Sequence, residues 1–419
     1  MSKNGLLPGL KAGDSDLRNQ EELKMAKLFA ALELNEIRGE CKNVNNDLGV
    51  IETACEAIEE LSDLSDVLTK NNVIGSDAAS LATISTESIC RRLGYVSEKP
   101  IMPSMESFSY ANSRKQATEY TLESLGQIVS DVWEAVKKFF AKIVEGIKKV
   151  FKMIKDFIVK ILRKMGFLKE QVQDIYKDKT NVYENQRMVD FSPFCVSFNV
   201  PKAKDLHDKV ANVLEDSLNV SKALIGINDA LSTFYQVAIS AKDIPGLILE
   251  TEDNGFDVNK FRLKEVEKTS EYVTVGEFVN AKHIRFYKKG YKVEIVDGQR
   301  VTVNDGSMAI SKELDLPNLV SATEKLAKSI EDNAKREDRL KNLTGTMTKA
   351  ADNLIKKAKN SEENKAAARM FKIMSSSAIN TTSNLLQLVT QNLTESLRYI
   401  EFCKRELLVN AKENEAKVT

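Results

Sequence analysis

Acid–base and metal chemistry need side chains that exchange protons near neutrality or hold cations, and this sequence has few candidates. Histidine occurs twice, at His207 and His283. The two are far apart and lack a flanking carboxylate pair at ligand spacing, so each reads as an ordinary core or surface histidine. Cys41, Cys55, Cys90, Cys195 and Cys403 form no CxxC and no metal-ligand spacing. They read as reduced, mostly buried thiols of a chain that folds in a cytosol. No GxGxxG, P-loop, HExxH or GxSxG is present, and Asp305-Gly306-Ser307 is a turn rather than a nucleophile's surroundings. The acidic residues fall in helical-face patterns, so no acid/base pair stands out. The expectation is a protein without catalysis, metal or cofactor.

What the chain does concentrate is cationic charge. From Ile128 to Leu168, Val129, Trp133, Val136, Phe140, Ile143, Ile147, Val150, Ile154, Phe157, Ile161 and Met165 recur every three or four residues. That is the period of one helix face, and alternating strands could not produce it. Lys137, Lys138, Lys142, Lys148, Lys149, Lys152, Lys155, Lys160, Arg163 and Lys164 occupy the other side, against Asp131, Glu134, Glu145 and Asp156. An unbroken helix of this length would reach about 60 Å. Three readings stand open, in this order. The first is a core helix with its lysines in solvent. The second is an interfacial membrane helix using Trp133, Phe139, Phe140, Phe151 and Phe157, each lysine adding ~1 kcal/mol at an anionic surface. The third is a sequence-blind contact with nucleic-acid phosphate.

The elements that must position this helix are themselves mostly helical. The 419 residues carry 61 basic and 61 acidic side chains, a neutrality that hides a split. Up to Glu106 there are 11 basic and 18 acidic residues, a net of −7; the remainder carries 50 and 43, a net of +7. Such asymmetry suggests two parts with different jobs. Length allows two or three domains, the start of the chain lacks the apolar core of a signal peptide, and no run of about 18 apolar residues could span a bilayer.

Along the chain, residues 17–93 suggest three helices separated at Gly49 and around Asn71, Asn72 and Gly75. The second of them is acidic through Glu52, Glu56, Glu59, Glu60, Asp63 and Asp66, which reads as a solvated face or, more sharply, as a docking surface for something basic. Pro100 and Pro103 argue for an exposed, extended linker over Gly94–Tyr110, the form in which a protease cleft takes its substrate. Residues 191–200 (FSPFCVSFNV) have the aromatic and β-branched content of a short strand. Strand signals at 272–275, 283–287, 292–296 and 301–303, with turns at Lys289-Gly290 and Asp297-Gly298, predict a meander. Four helices over about 317–338, 345–359, 362–376 and 380–412 close the chain, with Asp315 and Pro317 at the first start. The fold class is therefore mainly α, with long amphipathic helices in bundles and a small inserted antiparallel sheet at about 270–305. The segments are an acidic helical stretch 1–106, a linker 107–127, the cationic helix 128–169, a helical region with a short strand 170–242, a β-rich insert 243–310 and a helical C-terminal part 311–419.

Ser104-Met105-Glu106-Ser107-Phe108-Ser109, then Ser113 to Thr118 (SRKQAT), Leu122 to Leu125 (LESL) and the Trp/Phe/Lys helix behind them, form a run of about sixty residues. This run resembles the internal head proteins of large tailed bacteriophages. The resemblance implies a virion structural protein, made in the host cytoplasm with an acidic propeptide and packaged inside the capsid. It implies as partners the prohead core or capsid proteins, a prohead protease that cuts after a small residue, any residue and glutamate, packaged DNA without sequence preference, and the host membrane if the protein leaves with the DNA. Ser104, Met105 and Glu106 fit that motif, leaving Ser107 as the new N-terminus. Ser85-Thr86-Glu87, Ser311-Lys312-Glu313, Ser329-Ile330-Glu331 and Ser361-Glu362-Glu363 fit it too. Of these only Ser104-Met105-Glu106 lies beside prolines, where net charge changes sign, ahead of the cationic helix. The alternative is a membrane-active or pore-forming helical protein activated by a cut in the same linker. On either reading the contact residues are Trp133, Phe140, Ile147, Phe151 and Phe157 with Lys137, Lys138, Lys142, Lys148, Lys149, Lys152 and Lys155.

Overall fold

Two very long helices lie side by side at the centre of the computed structural model, which describes residues 12–71, 75–94, 105–108, 111–178, 188–335 and 337–418. Helix α1 (Ala12–Asn71) runs antiparallel to α3 (Ala111–Lys177), and no other pair of elements shares a more extensive contact. Between them α2 (Ser76–Leu93) ends at Gly94, whose φ of 62° closes the helix. A 3₁₀ turn (Met105–Phe108) then leads into α3.

α1 passes through Gly49 without a break. The buried register Val44, Leu48, Ile51, Cys55 and Ile58 continues across it, and packing along that face outweighs the ~1 kcal/mol that an interior glycine costs. The expected linker 107–127 is likewise helical from Ala111 onward. Ala117, Thr118, Thr121 and Leu125 are buried at helical spacing, and the Thr118 and Thr121 hydroxyls donate to the carbonyls of Arg114 and Ala117 at 2.7 and 2.9 Å. Polar composition had concealed a buried stripe.

Beyond α3 come α4 (Ser192–Phe198), α5 (Leu206–Ser240) and α6 (Ile244–Asp253). The strand expected at 191–200 is α4 instead. Phe191, Cys195 and Phe198 are buried at a spacing of four and three, Pro193 sits in the first turn, and Asn199 closes the helix at a φ of 56°. The aromatic content reflects burial: Phe191 and Phe194 pack edge-on or tilted against Tyr399 and Phe402 at ring separations of 5.1–6.1 Å.

The inserted sheet has strands β2 (Glu265–Lys268), β3 (Tyr272–Phe278), β4 (Lys282–Tyr287) and β5 (Val293–Asp297), all antiparallel and in sequence order. A separate strand pair joins β1 (Met188–Asp190) to β6 (Ser307–Ala309). The Lys289-Gly290 turn is present, with Gly290 at a φ of 73°. Asp297-Gly298 is not a hairpin and 301–303 is not a strand. The Gly298 N–H donates to the Ala281 carbonyl at 2.6 Å, and a Cβ there would collide with the His283 ring. The Val301 N–H goes to the Asn199 side chain at 2.8 Å, so no sheet partner claims it.

The remainder is α7 (Leu316–Lys335), α8 (Glu337–Lys357), α9 (Ser361–Ile379) and α10 (Leu385–Val418). A π-helical segment, Asn380–Asn384, joins α9 to α10 as one continuous rod where the sequence suggested a gap. Thr381 and Thr382 are buried there, and their hydroxyls donate back to the carbonyls of Ser377 and Ala378. One connected apolar core extends from Ile37 in α1 to Leu407 in α10 and includes the inner face of the sheet.

Candidate functional site

The cationic helix keeps its predicted period, and the structure assigns its two faces different fates. Trp133, Phe140, Ile147, Phe151 and Phe157 are at most 6% exposed. Two of them pack on α9: the Trp133 and Phe140 rings sit 5.3 and 5.2 Å from the ring of Phe371, and the Trp133 indole N–H donates to Asn364 Oδ1 at 2.8 Å. The apolar half of the expected membrane or DNA contact is thus core in this fold, because α1, α7 and α9 supply apolar faces that a bilayer would otherwise provide. Among the described residues no helix is long and apolar enough to cross a membrane.

The lysine half is surface. Lys137, Lys138, Lys142, Lys149 and Lys152 are exposed, while Lys148 and Lys155 are half-buried. Several face acids of neighbouring elements: Lys149 pairs with Glu40 of α1 at 2.8 Å, Lys160 with Glu33, Lys137 with Asp352 at 3.6 Å and Lys169 with Glu324 at 2.8 Å. Lys148 holds Glu145 of its own helix at 2.7 Å, and Lys142 lies 4.4 Å from the Phe139 ring. Lys138, Lys152, Arg163 and Lys164 extend the exposed cationic strip along α3.

The acidic face of α1 has a second basic counterpart. Glu59, Asp63 and Asp66 are spaced by four and three, and so are Lys365, Arg369 and Lys372 on α9. Arg369 meets Glu59 at 3.0 Å, Lys372 meets Glu59 at 3.2 Å, and Lys365 meets Asp63 and Asp66 at 2.9 and 2.8 Å. The hydrogen bond from Lys365 holds the Asp66 carboxyl below its ordinary pKa. Being partly exposed, such pairs contribute at most about 1 kcal/mol each and chiefly set register. Equal charge spacing on two helices was a signal available in the sequence; which two helices pair was not.

At the proposed cut, Ser104 lies outside the described residues, as do Pro100 and Pro103. Met105, Glu106 and Ser107 stand in the 3₁₀ turn rather than in an extended segment. Phe108 anchors the turn, fully buried against the core. The Ser107 carbonyl accepts from Ser113 Oγ and the Phe108 carbonyl from Arg114 Nε, each at 2.7 Å. A protease that reads an extended strand must therefore first open this turn.

The remaining chemistry-bearing side chains are not gathered. His207 is half-buried near the Tyr399 ring, and burial holds its pKa below the usual value. His283 Nδ1 contacts the Gly276 carbonyl at 2.6 Å. All five cysteines are buried and unpaired; burial pushes the Cys41 thiol up to about 12, the opposite of an activated nucleophile. Among the described residues no group of three His, Cys, Asp or Glu could hold a metal. An open cleft of about 460 Å³ lies where α1, the sheet and the π-segment meet, and Asn45, Asn380, Asn384, Gln387 and Gln391 line it with amides.

A family model described as phiKZ-like phage internal head proteins matches residues 29–401. No curated protein and no solved structure matches the chain.

Proposed function

The chain belongs to the phiKZ-like phage internal head proteins, and from that premise we propose that it is a non-enzymatic structural protein of the head interior, cut once by the prohead protease after Glu106. The observation that carries the cut is a coincidence of boundaries. Charge changes sign at Glu106, and the same residue stands in the turn that follows the acidic helix α1 and the short neutral helix α2 and precedes the cationic helix α3. Before the cut, the acidic segment gives prohead core or capsid proteins something to address. Packaged DNA comes second, and its phosphates meet the exposed strip of Lys138, Lys142, Lys152, Arg163 and Lys164, a contact blind to sequence and weakened by salt. Departure from the head with the DNA is part of the same reading.

Mass spectrometry of protein from purified particles tests the cut. The expected result is an N-terminal peptide beginning at Ser107 in wild type and its loss in Glu106→Gln. Intact peptides spanning Met105 to Ser109 as the only species in mature particles would sink it.

A further inference from the structure

We propose that α3, α9 and the π-segment form a helix-binding groove, and that its occupant, the acidic segment 12–94 of this same chain, stays seated after the chain is cut. This rests on the processing reading for its biological occasion, while its physical basis lies in the groove. The occupant is not an appended tail. Ile37, Val44, Ile51, Ile58 and Leu61 of α1 are each at most 2% exposed and belong to the core that includes α3 and α9. The fit is shaped as well as greasy: a Cβ placed on Gly146 of α3 would come within 2.4 Å of Val44 Cγ2, so the groove is cut to admit that side chain.

Charge matches at two places along the described contact. Glu33 and Glu40 meet Lys160 and Lys149 of α3, and Glu59, Asp63 and Asp66 meet the basic triplet of α9. At 1.5 Å per residue, acids from Glu33 to Asp66 fix the register over about 50 Å. Asn45 and Asn384 add a reciprocal amide pair to the π-segment at 3.0 and 3.1 Å. Removing segment 12–94 would bare the face of α3 around Gly146 and the flank of α9, an apolar surface far longer than soluble proteins leave open. Hydrolysis of one peptide bond supplies no force that lifts the helix out. The cut therefore yields a two-chain protein that keeps its net charge, and does not itself unmask the cations paired with α1.

The test uses the full-length chain with a site-specific protease sequence replacing residues 95–104, so Glu106 is untouched. After complete digestion the two halves are expected to co-elute from gel filtration at the position of the uncut protein, with unchanged emission from Trp133, the sole tryptophan. Co-elution should survive a hundred-fold dilution and fail in denaturant. Elution of the C-terminal half alone, or its precipitation with the N-terminal half left soluble, overturns the proposal. Glu59→Lys, which sets a cation against Arg369 and Lys372, should release the N-terminal half at least several-fold faster; release no faster than from the parent overturns the assigned register. Failure here leaves the particle result at Ser107 standing, and an uncut chain in particles leaves this result standing.

Discussion

At the residue scale, His207 ties stability to pH near neutrality. Burial lowers its pKa, so below about 6.5 the unfolded chain takes up a proton that the folded protein refuses. Stability then falls as pH drops through that value and continues to fall until the depressed native pKa is reached. Thermal melts from pH 7.5 to 5.5 are expected to slope downward on acidification, and His207→Gln to flatten that slope. A second acid loss begins lower, where Asp66, Glu277 and Glu324, whose pKa values are held down by Lys365, Lys209 and Lys169 respectively, become protonated. Their stabilisation is complete above about 4.5 and disappears as pH falls through the native values.

At the element scale, two glycines in long helices separate intrinsic propensity from packing. Gly49 has open space where a Cβ would go, whereas Gly146 faces Val44 at 2.4 Å. Gly49→Ala should stabilise by about 0.5–1 kcal/mol. Gly146→Val should destabilise by about 1–3 kcal/mol, because Val44 is β-branched and cannot swing aside cheaply. Urea titrations followed by Trp133 emission measure both. The stripe of α3 was legible because its period repeats over eleven turns' worth of sequence-local information. The helix at 192–198 was not, because seven residues rich in phenylalanine satisfy strand and helix equally until Tyr399 and Phe402 arrive from two hundred residues away. Gly49, Gly298 and the polar run 111–127 misled as well. For the two glycines a partner outside the local window, the α3 face or the His283 ring, overruled the local preference; for the polar run it was the burial of its own Thr118 and Thr121, which composition does not announce.

At the scale of the whole molecule, zero net charge means that attraction to DNA depends on how charge is arranged. If five cations of the α3 strip engage phosphate, the logarithm of the association constant should fall with the logarithm of salt at a slope of roughly −4 to −5 on duplex DNA. Random and specific sequences should behave alike. Because segment 12–94 remains bound, the affinity should be nearly the same before and after the cut; a large rise on cutting would mean that the paired lysines had been bared. The resemblance identified the class of protein, and the charge boundary suggested where a cut would fall. Neither disclosed that the acidic part is architectural, since that follows from which faces touch.

On the proposed processing after Glu106, the buried ring of Phe108 makes the cut a matter of timing. A protease acts only on molecules in which the 3₁₀ turn has opened, so with fast reclosing the rate of cutting follows the small open fraction. On that reading one side chain works as a delay element between synthesis and cutting. Phe108→Ala, by emptying the anchor's site, should shorten that delay and permit cutting before the shell has assembled, seen as Ser107-ended protein already present in immature heads.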